Sequence, residues 1–113
     1  GEQVRDFIYV KDAVAMTLFF LDRPELGGIY NVGTGQARSW NALARAMFGA
    51  LDRPAGITYI EMPEILRDKY QYFTQADIGK IRRAGYTAPI TSLEDAVRDY
   101  VREYLVPGKF LTS

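Results

Sequence analysis

A chain of 113 residues, 48% apolar and 25% charged, has the size and composition of one small soluble domain or of a piece of a larger one. Fourteen basic residues balance fourteen acidic ones, so no net field draws it to nucleic acid or to an anionic membrane surface. The absence of Cys and His excludes a disulfide framework, thiolate chemistry, and both the commonest general base and the commonest metal ligand.

Phe7–Val10 combines aromatic and β-branched residues and predicts a short buried strand. Asp12 stands where an N-cap belongs, and Ala13–Leu21 follows as a mostly apolar helix, too short to span a bilayer. Asp22-Arg23-Pro24 ends that helix, and Ile29–Val32 predicts a second strand running into Gly33-Thr34-Gly35. Ser39 caps the next helix, on which Trp40, Leu43, Ala44, Met47, Phe48 and Leu51 fall on one face at three- and four-residue steps. Pro54-Ala55-Gly56 breaks to a third strand, Ile57–Ile60, and Met62–Leu66 fits one helical turn.

Further along, Tyr70–Phe73 reads as extended. Thr74 with Asp77 three residues later makes a capping-box pattern that opens a short helix. Arg82 and Arg83 sit in that helix's last turn, and Gly85 suits the residue after its C-cap. The final helix starts near Ser92, with Leu93, Ala96, Val97, Tyr100, Val101, Tyr104 and Leu105 on one stripe. Strands alternating with helices predict an α/β class. Three short strands are little sheet for several helices that are apolar on one side, which predicts a fragment.

Three places could carry chemistry. Gly33-Thr34-Gly35 lies between a strand and a helix, where a phosphate-binding loop could sit. A dinucleotide fingerprint needs a third Gly three positions later, where Arg38 stands, so a tight turn is the better reading. Arg5 and Asp6 read on their own as charges at the start of a strand, joined to each other or to a turn. The guanidinium fork of Arg5 would equally suit phosphate oxygens. Tyr70 and Gln71 stand in an aromatic stretch with Tyr72 and Phe73, and strand packing alone accounts for such residues. Lys69, Lys80, Arg82 and Arg83 are interleaved with Asp68 and Asp77 and read as a solvated helix face. The Trp40 and Ser92 stripes read as core-facing surfaces.

Taken together and in this order, RDFIYVKD (Arg5–Asp12), GIYNVGTG (Gly28–Gly35) and DKYQYFTQADIGKIRRAGY (Asp68–Tyr86) resemble the C-terminal third of the extended short-chain dehydrogenases/reductases that act on nucleotide sugars. The third segment narrows the resemblance to the ADP-heptose 6-epimerases. It implies that residues 1–113 are the substrate-binding region of a Rossmann-type α/β enzyme, with the edge strand and flanking helix of the cofactor sheet. The N-terminal dinucleotide-binding part would be absent, and Gly1-Glu2-Gln3 looks like the middle of a longer segment. The complete protein would use NADP to invert C6 of an ADP-heptose for lipopolysaccharide core synthesis, in the cytoplasm. No cofactor is expected on the fragment itself. By the same resemblance Arg5 contacts the substrate diphosphate, Tyr70 reaches the nucleotide, and Gln71 is only a neighbour.

The expected partners are an ADP-sugar and further copies of the chain, commonly in a pentamer or by self-association of exposed apolar faces. Neither nucleic acid nor membrane is expected. Catalysis in this superfamily uses a Tyr with a Lys four residues later on the same helix face. Four residues after the eight Tyr here stand Ala13, Thr34, Pro63, Thr74, Ala76, Ile90, Tyr104 and Gly108. None is Lys, so no catalytic residue is assigned and the fragment is expected to be inactive alone. Two alternatives stay open: another NAD(P)-dependent nucleotide-sugar epimerase or dehydratase, and a non-enzymatic α/β binding or assembly module.

Overall fold

A computed structural model describes residues 1–110. Its helices are α1 (Val10–Phe19), α2 (Trp40–Ala50), α3 (Glu64–Arg67), α4 (Gly79–Arg83) and α5 (Leu93–Tyr100), the last running on into a wider π turn at Val101–Leu105. The sheet is minimal: β1 (Val4–Arg5) pairs antiparallel with β2 (Arg38–Ser39), Val4 facing Ser39 and Arg5 facing Arg38. On its other side Val4 bridges Phe73 in parallel. Its amide donates to the Tyr72 carbonyl at 2.8 Å, and its carbonyl accepts from the Thr74 amide at 3.2 Å. Three chain segments distant in sequence therefore meet at Val4.

Two small cores hold the elements. In one, Leu93, Val97 and Val101 of the last helix pack on Ala50, with Phe7, Ala42, Leu43 and Ala46 against them. In the other, Met16, Ile81 and Tyr86 are buried among Ile8, Phe19, Phe20, Tyr30, Ile78 and Ile90. Between them, the Tyr9 hydroxyl donates to the Asp99 carboxylate, which also takes the Lys11 ammonium at 2.7 Å. Burial first, and then this bond to a carboxylate, push the Tyr9 phenol up to about 12.

Several elements differ from the sequence expectation. Phe7–Val10, Ile29–Val32 and Ile57–Ile60 do not form strands, and Ile29 and Ile60 are 87% and 88% exposed. A strand is stable only when a neighbour takes its backbone hydrogen bonds, and no strand among the described residues pairs its backbone with these three. Helix α1 starts two residues before Asp12, with Tyr9 at its N-cap, because the Asp12 carboxylate is occupied elsewhere. It accepts from the amide and hydroxyl of Thr91, each at 3.1 Å.

The Thr74–Asp77 capping box does not form. Helix α4 begins at Gly79, Thr74 turns its hydroxyl to Gln71, and Asp77 accepts from the Gly79 amide at 2.8 Å. On α2 Leu43 packs inward as expected, but its companions there are the small residues Ala42, Ala46 and Ala50. Trp40, Met47 and Leu51 lie partly outward, since α5 approaches over the alanines. The caps at Ser39 and Ser92 do form, each hydroxyl accepting the amide three residues on, at 3.0 and 3.2 Å. Gly85 follows the C-cap of α4 with φ of 111°, a left-handed backbone that favours glycine.

Candidate functional site

Arg5 and Tyr70, 65 positions apart in sequence, are brought into contact by the pairing at Val4. Consecutive residues of an extended segment face opposite ways. Arg5 accordingly turns to the Tyr70 segment, and Asp6 turns to the Gly33–Gly35 turn. The Arg5 guanidinium carbon stands 5.0 Å from the centre of the Tyr70 ring, within cation–π range. Two of its five N–H donors are taken, one by the Val4 carbonyl at 2.8 Å and one by the Gln71 carbonyl. Arg5 takes part in no ion pair among the described residues. An oriented cation with donors to spare is suited to an anion with several oxygens.

Tyr70 is fixed from its other sides. Its hydroxyl accepts from the Trp40 indole N–H at 3.1 Å, and the Tyr72 ring meets it edge-on at 5.8 Å. Trp40 is in turn held edge-on by Phe7 at 5.0 Å. Beside Tyr70 runs a shallow cleft of about 320 Å³, walled by Gln3, Trp40, Asn41 and the 57–60 segment. Asn41 is buried and satisfied, donating to Glu2 at 2.6 Å and accepting from the Tyr59 hydroxyl at 3.0 Å. The wall therefore combines aromatic faces with amide and hydroxyl groups, a surface that can take a heteroaromatic ring.

Asp6 is the group that residue-level reading undervalued. Its carboxylate accepts from the Thr34 amide (2.8 Å), the Thr34 hydroxyl (2.6 Å), the Gly35 amide (2.9 Å) and the Ala76 amide (3.1 Å). Burial pushes this carboxyl up, but the Thr34 hydroxyl and the three amides together outweigh it and hold the group below the ordinary aspartate value. The turn is built around it: a Cβ on Gly33 would lie 2.5 Å from the Ala76 side chain and 2.9 Å from the Asp6 carboxylate. The available signal was a Gly-Thr-Gly turn whose amides needed an acceptor, together with an Asp 28 positions earlier whose partner was unassigned.

The same geometry bears on a dinucleotide. The amides of Thr34 and Gly35 that could cradle a phosphate already donate to Asp6. The turn does not fit a cofactor phosphate, as the missing third glycine suggested. No cluster of three potential metal ligands occurs among the described residues.

Lys80 and Arg82 of α4 serve the fold. Lys80 donates to the Ile29 carbonyl at 2.7 Å and lies 4.3 Å above the Tyr30 ring, while Arg82 donates to the Tyr86 and Ala88 carbonyls. A second hollow, of about 380 Å³ between α2 and α5, contains Arg38, Arg45 and Arg98. Arg38 is answered by Glu94 and Arg98 by Asp95, and the Arg38 hydrogen bond lowers the Glu94 carboxyl. No described helix is long and apolar enough to cross a membrane.

Comparison with known proteins adds two findings. The NAD dependent epimerase/dehydratase family matches residues 1–33. Proteins named ADP-L-glycero-D-manno-heptose-6-epimerase match nearly the whole chain. Those of Nitratidesulfovibrio vulgaris are 55% identical (strain Hildenborough) and 54% identical (strain DP4), each over 93% of this chain and 32% of their own length. That of Fusobacterium nucleatum is 50% identical over 93% of this chain and 33% of its own. The chain thus spans about a third of the length of these curated relatives.

Proposed function

We propose, on the premise that this chain belongs to the NAD dependent epimerase/dehydratase family, that it is the nucleotide-sugar-binding part of an ADP-heptose 6-epimerase. In this reading the complete enzyme converts ADP-D-glycero-D-manno-heptose into its L-glycero epimer for lipopolysaccharide core synthesis. It uses NADP, works in the cytoplasm and assembles as a homo-oligomer. This chain supplies its C-terminal, substrate-binding region, is inactive alone, and binds neither nucleic acid nor membrane. The cofactor and the proton-transferring pair lie elsewhere in the enzyme. NADP contributes hydride transfer when bound there, and no step of it runs through the residues described here.

The observation that carries the reading is the contact between Arg5 and Tyr70. A guanidinium that joins no ion pair among the described residues and has donors to spare lies against a tyrosine face beside an aromatic cleft. The two ends match the two ends of a nucleoside diphosphate, Arg5 toward the diphosphate and Tyr70 toward the nucleoside. Relatives at 50–55% identity that carry the heptose-epimerase name support the choice of sugar.

The test uses the full-length polypeptide with a panel of nucleotide sugars. Turnover of ADP-heptose, with UDP-hexoses left untouched, is the expected result. Preferential turnover of a UDP-sugar would move the protein to another branch of the family.

A further inference from the structure

We propose that Asp6 is a positioning residue of the nucleotide site: its carboxylate fastens the segment carrying Tyr70 in register with Arg5. The inference rests on the reading of Arg5 and Tyr70 given above, and adds a residue whose side chain meets neither the proposed ligand nor the Arg5 guanidinium.

The connection is geometric. Asp6 follows Arg5 directly, and Ala76 lies six positions beyond Tyr70. The Ala76 amide donates to Asp6 at 3.1 Å, on the chain just past the backbone pairing of Val4 with Tyr72 and Thr74. The same carboxylate holds Thr34 and Gly35, so one side chain joins three segments. The 72–74 bridge is a single residue pair, and an isolated pairing of that length holds its register weakly. The fourfold-satisfied carboxylate closes the far end of that bridge, beyond the point where the Arg5 side chain leaves for Gln71 and Tyr70. Gly33 leaves no space for an alternative, because any side chain there would strike Asp6 and Ala76 together.

Asparagine at this position keeps the shape but offers one oxygen where four donors converge, and its amide nitrogen would confront N–H groups. Asp6→Asn should therefore free the Tyr70 segment without removing either ligand-contacting residue. The chain has a single Trp, and Trp40 donates to the Tyr70 hydroxyl. Its fluorescence thus reports whether Tyr70 is in place even without ligand.

The experiment measures Trp40 emission and acrylamide quenching of the 113-residue chain, and ADP affinity by calorimetry, all well below the melting temperature. The proposal expects Asp6→Asn to red-shift and expose Trp40, and to weaken ADP at least about tenfold, the scale of losing charged hydrogen bonds. It also expects Asp6→Asn and Arg5→Ala to be non-additive on ADP affinity. A variant that melts earlier yet keeps wild-type Trp40 signal and wild-type ADP affinity would overturn it, because Asp6 would then stabilise the turn alone. If the wild-type chain binds no ADP, the nucleotide reading fails and the Trp40 arm still decides the role of Asp6. Should Asp6→Asn not fold, Thr34→Val removes one of the four donors. It should shift Trp40 in the same direction, and an unshifted Trp40 there would contradict the proposal.

Discussion

Arg5 and Asp6 are adjacent charges that never meet each other. One is committed to a tyrosine face and two carbonyls, the other to a turn and an amide on a third segment. Whether such a pair is joined internally or to a turn was undecidable from sequence, because the partners of Asp6 lie 28, 29 and 70 positions away. The environment of Asp6 has a pH consequence. Its native carboxyl sits below the ordinary value of 3.8, so the charged form stabilises the fold above that value. The contribution is lost as pH falls through the lowered native value. The stability gap between wild type and Asp6→Asn, from urea unfolding, should stay level from about pH 7 to pH 5 and narrow below about pH 4. A gap unchanged down to pH 3 would show that the charge contributes nothing.

At the scale of elements, what depends on neighbours within one turn was readable and what depends on a distant partner was not. Ser39 and Ser92 could be named as caps because the amide each hydroxyl accepts is three residues on. Gly85 was readable for a similarly local reason, the left-handed residue that ends a helix. The strands at 7–10, 29–32 and 57–60 were not, since β-propensity describes a surface to be paired and supplies no partner. The inward face of α2 was placed correctly at Leu43 but wrongly at Trp40, Met47 and Leu51, which lie partly outward because the alanines at 42, 46 and 50 allow α5 closer. Replacing Ser39 by Ala should cost about 1 kcal/mol in chemical denaturation, as at other N-caps. No measurable change would mean that the Phe7 contact with Trp40 alone starts the helix.

The whole molecule is open for its size. Its radius of gyration is 16.8 Å, against roughly 13 Å for a compact domain of this length. Its accessible surface is 8318 Å², against roughly 6,300 Å² for a folded monomer of this mass. Part of the excess is the outer side of α1, where Val10, Val14 and Leu18 recur every four residues and stay exposed. Apolar stripes of this kind are covered in stable proteins. The 113-residue chain should therefore self-associate in sedimentation velocity, and Leu18→Lys should shift it toward monomer without lowering its melting temperature. A wild-type chain that is monomeric at every concentration would argue for the self-contained binding module instead. Calorimetric titration of ADP into wild-type and Arg5→Ala chains tests most directly whether Arg5 and Tyr70 form one nucleotide-binding face. Such a face should give weak, saturable binding to the wild type and affinity at least about tenfold lower in the variant. Equal affinity in both, or no saturable binding by the wild type, would contradict a shared face.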